Sequence, residues 1–182
     1  MDWQKFKKQK ERKLSEAVAG NLADERIIPL LRKINENENL VTSSSCSGRI
    51  ALLSIEKGKK DANFYKKWHR AISENELTEI VEKYNFEKPL WFRCEPFILH
   101  VFAKDIKSAG KFLKLIRNLG IKRGGIQTIN EKGISIEIQG NGNLIFPIGH
   151  GIETNWKLIV KYSNEIIEKN FEKILEIEKA LK

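Results

Sequence analysis

The 182-residue chain is poor in the residues that carry most recognisable chemistry. Two cysteines, Cys46 and Cys94, exclude a disulfide scaffold. The three histidines, His69, His100 and His150, stand at no zinc-type spacing, and neither CxxC nor HxxxH occurs, so no metal is expected. The N-terminal run MDWQKFKKQKERK lacks the apolar centre of a signal peptide. No apolar run approaches the ~20 residues needed to cross a bilayer. A soluble cytoplasmic protein is the expectation. GxxxxGK[ST], HExxH and GxSxG are missing. So is GxGxxG: GNGN at 140–143 lacks the third glycine and falls between two strands, where it reads as a hairpin turn rather than a dinucleotide loop.

What is present is a globular composition, 41% hydrophobic and 31% charged, with a net charge of +9. That surplus suits a polyanionic partner, nucleic acid first, although lysine-rich composition also occurs in thermophile proteins. With about 150 residues per domain as a guide, one domain spanning 1–182 is expected: a basic helix over 1–20 and a core over 21–182.

Residues 2–19 read as a helix with a basic face, ended by Gly20. Asp24 caps a second helix to about Glu36, with Pro29 implying a kink or a later start. ENEN at 36–39 is a turn. Strands are expected at Leu40–Ser44, Arg49–Glu56 and Phe64–Trp68, with KGKK at 57–60 as a turn. A helix over Glu74–Phe86 follows, then a strand over Leu90–Phe102 interrupted near Pro96. Asp105 caps a helix stopped by Gly120. Three short strands (126–130, 134–139, 144–146) precede a long amphipathic helix from Asn155. Interspersed helices and strands without regular βαβ alternation give an α+β class with mixed or antiparallel sheets.

The most informative stretch is SSSCSGRI, residues 43–50. Small side chains let backbone amides approach a ligand, and successive N–H groups can form an anion-binding nest. Gly48 suits a positive φ, and Arg49 offers a planar fork for carboxylate or phosphate. The plain alternative is a solvated turn. Cys46 by itself is more often a packing residue than a nucleophile. In FILHVF, alternation puts Ile98, His100 and Phe102 on one face; a histidine among apolar neighbours is usually a satisfied core residue. Glu95-Pro96 sets a carboxylate at a strand break. KRGGI at 122–126 reads as a connection from helix to strand whose glycines permit close approach and whose cations suit phosphate.

TSSSCSGRI (42–50), LWFRCEPFILHV (90–101), GIKRGGI (120–126) and DERIIPLLRKIN (24–35) together resemble the tRNA wybutosine-synthesising protein 3 family of archaea and eukaryotes, over about residues 20–165. The resemblance implies a fold outside the Rossmann methyltransferases. It implies transfer of a methyl group from S-adenosylmethionine to N4 of a demethylwyosine-type base at position 37 of tRNA(Phe). Ser44, Ser45, Cys46, Ser47, Gly48 and Arg49 match the family loop, with Thr42-Ser43 for its usual Thr-Thr. Pro96 and His100 match P-x-x-x-H. The family Ser-His falls at Trp68-His69 and its Ser-Gly-Ile at Gly124-Gly125-Ile126, so no hydroxyl role carries over to 68 or 124.

On this reading Arg49 and the loop amides bind the donor carboxylate or an RNA phosphate. Trp68 and Trp91 stack on adenine or the tricyclic base. His69, His100 and Glu95 are the catalytic candidates, and Lys7, Lys8, Arg12, Lys122 and Arg123 are the tRNA-binding ones. Two other readings stand beside it: a non-catalytic module that binds the tRNA anticodon loop, and an enzyme with Cys46 as nucleophile. The second lacks a sequence-evident partner base.

Overall fold

The computed structural model describes residues 2–56, 61–149 and 152–181. The KGKK turn expected at 57–60 lies outside them. Helix α1 (Trp3–Ala19) starts where the Asp2 side chain accepts the Gln4 N–H and ends at Gly20. The Asp24 cap opens a single 3₁₀ turn (Glu25–Ile27), and α2 (Ile28–Asn35) begins after it. Pro29 sits in the first turn of α2, where a missing N–H costs nothing, so the later start is the outcome. Strands β1 (Leu40–Thr42), β2 (Arg49–Ser54) and β3 (Asn63–Trp68) follow. Helix α3 (Glu74–Glu82), capped by Ser73, is shorter than its apolar spacing suggested. Next come β4 (Leu90–Glu95), β5 (Ile98–Ala103), α4 (Ile106–Asn118), β6 (Arg123–Asn130), β7 (Gly133–Gln139), β8 (Leu144–Ile148) and α5 (Trp156–Ala180).

The chain clusters into two compact units. The first comprises residues 1–47, 97–140 and 171–182. Its sheet runs β1-β5-β7-β6, antiparallel throughout. Leu99, Val101 and Ala103 of β5 and Ile134, Ile136 and Ile138 of β7 point into a core closed by Leu30 and Ile34 of α2, Phe112 and Ile116 of α4, and Ile174 and Ile177 of α5. The other sheet face carries Ile98, His100 and Phe102, as strand alternation requires. Helix α1 covers the Phe102 end of that face, with the Phe6 ring edge-on to Phe102 at 5.1 Å.

The second unit comprises residues 48–96 and 141–170. Its antiparallel sheet runs β3-β2-β4-β8. Ile50, Leu52, Trp68, Leu90, Phe92 and Cys94 face Leu77 and Val81 of α3 and Val160 and Ile167 of α5.

The architecture is α+β with two antiparallel sheets and a long C-terminal helix. Two local readings are corrected. β7 pairs with β5 and β6 whereas β8 pairs with β4, so 140–143 joins two sheets and is not a hairpin turn. Arg123, Gly124 and Gly125 belong to β6 itself, not to a connection before it.

Candidate functional site

In the first unit the serine loop is held almost throughout by protein partners. The Ser43 N–H donates to the His100 carbonyl (3.0 Å), and Cys46 and Ile98 exchange two backbone bonds of 2.9 and 3.0 Å. The Ser47 N–H donates to the Asp24 carboxylate at 2.6 Å. The Ser45 hydroxyl donates to the Ser43 carbonyl (3.2 Å) and accepts the His100 N–H (3.1 Å). The nest expected from the sequence therefore does not form along the whole loop: the amides of Ser43, Cys46 and Ser47 are spent on the protein. Ser44 and Ser45, with Ser43, line a cavity of about 340 Å3 walled by Leu14 and Ala17 of α1, Ile27 just before α2 and Leu31 within it. Lys10, Lys13 and Asp24 also border it. Cys46 and Ser47 are not among its lining residues.

His100 is half-buried on the open sheet face and not a core residue. Its Nε2 lies 2.9 Å from a Glu137 oxygen, directly across from it in β7, and its Nδ1 lies against the Ser44 carbonyl. The His100 hydrogen bond, aided by one from Gln139, holds the Glu137 carboxyl below the usual carboxylate range against the effect of burial. Gly124 stands at φ +108°, and a Cβ there would lie 2.0 Å from the Glu137 carbonyl oxygen. Its close approach is thus to strand β7, not to a ligand. Arg117 fixes the same stretch by donating to the Ile121 (3.0 Å) and Gly124 (2.6 Å) carbonyls. Lys122 and Arg123 are exposed beside it.

In the second unit Gly48 takes the expected positive φ, +104°. Arg49 faces Glu95 across β2 and β4, with Nε 2.6 Å from the carboxylate, and Arg93 holds the other oxygen at 2.8 Å. The Arg49 guanidinium also lies over the Phe64 ring at 4.6 Å. Phe64, 46% exposed, shares this sheet face with Lys67 and half-buried Trp91. Trp68 does not: it is buried in the core opposite Ile50, its indole N–H donating to Glu76 at 2.7 Å, because a register shift in β3 opposite Leu52 and Leu53 puts it on the other face from Phe64 four residues away. No open ring face remains there for stacking, and Phe64 offers one instead. His69 Nδ1 lies 3.0 Å from the Gly48 carbonyl. Pro96 is half-buried at the β4 end.

Of the helix α1 cations, Lys8 is exposed, and Arg12 is exposed in an ion pair with Glu16 at 3.3 Å. Lys7 is buried: its ammonium donates to the carbonyls of Asn35 (2.5 Å), Asn37 (2.8 Å) and Leu40 (2.7 Å), which removes it from any nucleic-acid surface. Sequence reasoning missed Glu137 and the tie from Asp24 to the loop. Alternation in ISIEIQ puts Glu137 opposite the isoleucine face, but its pairing with His100 depends on strand register.

The fold defines an α+β protein of two antiparallel sheets with a tied-down serine loop and without a doubly wound nucleotide-binding sheet. A model of the family described as Methyltransferase TYW3 matches residues 3–182, and the chain belongs to that family. A Pyrococcus horikoshii relative, named tRNA(Phe) 7-((3-amino-3-carboxypropyl)-4-demethylwyosine(37)-N(4))-methyltransferase 1, is 35% identical over 171 residues, 92% of this chain and 85% of its own. The Methanocaldococcus jannaschii protein named for the same activity is 35% identical over 161 residues, covering 84% and 83%. The solved structure of the PH1069 protein from Pyrococcus horikoshii superposes with a TM-score of 0.91 at 33% identity, covering 98% of this chain and 95% of that one. Membership makes the protein a methyltransferase and requires a methyl donor.

Proposed function

We propose that the protein methylates N4 of a demethylwyosine-type base at position 37 of tRNA(Phe), with S-adenosylmethionine as donor, in the cytoplasm. The observation that carries this reading is the preset serine loop: its flanks are fixed to β5 and Asp24 while Ser44 and Ser45 line a cavity. The cavity volume falls in the ~300–1,000 Å3 range of small-molecule sites. Its Leu14, Ile27 and Leu31 wall suits an adenine ring, and Ser44 suits the polar end of the donor. When bound, the donor supplies an electrophilic methyl group on a sulfonium. Phe64 and Trp91, beside Arg49 and Lys67, suit the stacking of unpaired bases on a cationic sheet face.

As the acceptor nitrogen forms its bond to carbon, its proton must leave. His69, whose Nδ1–H donates to the Gly48 carbonyl so that the ring is held in one orientation, is the candidate to take it. His100, with the Ser44 carbonyl at one ring nitrogen and the Glu137 carboxylate at the other, positions the loop. Glu95 is balanced by two guanidiniums and orients them. The non-catalytic anticodon-loop module and the Cys46 nucleophile are not favoured. Mass analysis of demethyl tRNA(Phe) incubated with the protein and S-adenosylmethionine tests the activity; no gain of a methyl mass under saturating conditions overturns it. In single turnover, His69→Gln is expected to slow the chemical step with both ligands still bound, and His100→Gln to weaken donor binding. The reverse pattern exchanges the two roles.

A further inference from the structure

Helix α1 and the solvent-side face of the β1-β5-β7-β6 sheet enclose a groove of about 390 Å3. Phe6 and Phe102 form its floor. Lys10 and Lys13 come to it from the helix, and Lys132 from the turn between β6 and β7. The Lys10 ammonium stands 4.9 Å from the Phe102 ring centre and 5.4 Å from that of Phe6. No carboxylate lines the groove, and among the described residues none of the three lysines has an ion-pair partner. Burial first, then the charges of Lys13 and Lys132, lower the Lys10 pKa. Three ammonium groups gathered on an apolar floor with no counter-charge repel one another, and an anion relieves that repulsion.

We infer that this groove binds a phosphodiester of the RNA substrate. The lysines act as point charges on the phosphate oxygens. Gln9 and Asn130, also on the groove walls, supply amide groups for ribose and phosphate oxygens, and the aromatic floor accepts the sugar. Lys10 and Lys13 also border the Ser43–Ser45 cavity, so a phosphate held here lies next to the loop within the same unit. The identity of the RNA rests on the tRNA methyltransferase reading; the anion site rests on the groove alone.

The test is binding of labelled tRNA(Phe) between 50 and 300 mM KCl to the wild type and to Lys10→Gln/Lys132→Gln, with circular dichroism and melting as folding controls. Each lost phosphate contact flattens the slope of log K against log salt by about 0.7–0.9. The double variant is therefore expected to lose about 1.4–1.8 from the slope and to bind about 20-fold more weakly at 0.15 M salt. Lys107→Gln/Lys114→Gln, two exposed lysines of α4, is expected to keep the wild-type slope. An unchanged slope in the groove variant, or an equal loss in the α4 variant, overturns the assignment. Lys10-dependent binding of inorganic phosphate with no change in the RNA slope also overturns it, in favour of a free anion. A groove effect without any methylation would overturn the activity alone, whereas methylation without a groove effect would overturn this site alone.

Discussion

Replacing Lys7 by methionine keeps the length of the side chain and removes its charge. The ammonium holds three carbonyls where α2 ends and β1 begins, and it pairs with Glu11 at 3.2 Å. The Leu40 bond is fully buried, while those to Asn35 and Asn37 are only part-buried. Water replaces the donor at the part-buried pair, so most of the cost falls on Leu40: about 1–3 kcal/mol for a buried acceptor left unbonded. Loss of a cation at the α2 C-terminus adds up to about 1 kcal/mol. A total near 3 kcal/mol lowers the melting temperature of a chain this size by about 6–12 °C. Thermal unfolding followed by circular dichroism reads this, with tRNA affinity measured below the transition. A variant with an unchanged melting temperature and weakened tRNA binding would refute the reasoning and return Lys7 to the nucleic-acid surface.

Gly124→Ala places a Cβ 2.0 Å from the Glu137 carbonyl at φ +108° and should cost more than about 3 kcal/mol. Gly125→Ala, whose Cβ meets nothing within 4 Å, should stay within about 1 kcal/mol of the wild type; equal losses at the two positions in urea unfolding would contradict the account. Glu137 has a depressed pKa in the folded state, so its contribution is complete above the unfolded carboxylate value of about 4.3 and is lost as pH falls through the lower folded value. Glu137→Gln should therefore be less stable than the wild type at pH 7 and converge with it in acid, as melting curves across pH will show. Burial pushes the Cys94 thiol up to about 12, so Ellman's reagent at pH 8 should reach it only after unfolding.

Most elements were legible because each carries its own local signal: Asp24 and Asp105 cap as expected, and alternation in FILHVF gives the correct faces. Partners were not legible. Period-two alternation says which face a side chain takes, not which strand lies beside it. Hence 140–143 read as a hairpin although β7 and β8 lie in different sheets, and the interruption at Pro96 hid a change of sheet between β4 and β5. Glycines and cations made 123–125 look like a connection, although Gly124 stays in the strand by taking a positive φ. At the site, Arg49 and Gly48 were visible by residue type. The differences between Lys7 and Lys10, and between Trp68 and Phe64, depend on which carbonyls or carboxylates surround each side chain in space.

The serine loop also constrains how this stretch can change by insertion or deletion. Thr42 is fixed opposite Val101 of β5, and Cys46 by its bridge to Ile98. The number of residues between them is therefore a ruler. Removing one codon breaks the bridge or slips β1 by one step, and a one-step slip exchanges its two faces. Leu40 would then turn out of the core it shares with Leu99 and Val101. Substitutions at Ser44 and Ser45 leave that ruler intact. In a mutational library, single-codon deletions across 43–45 should be depleted as unfolded chains, while exchanges at 44 and 45 survive as folded ones with altered ligand affinity.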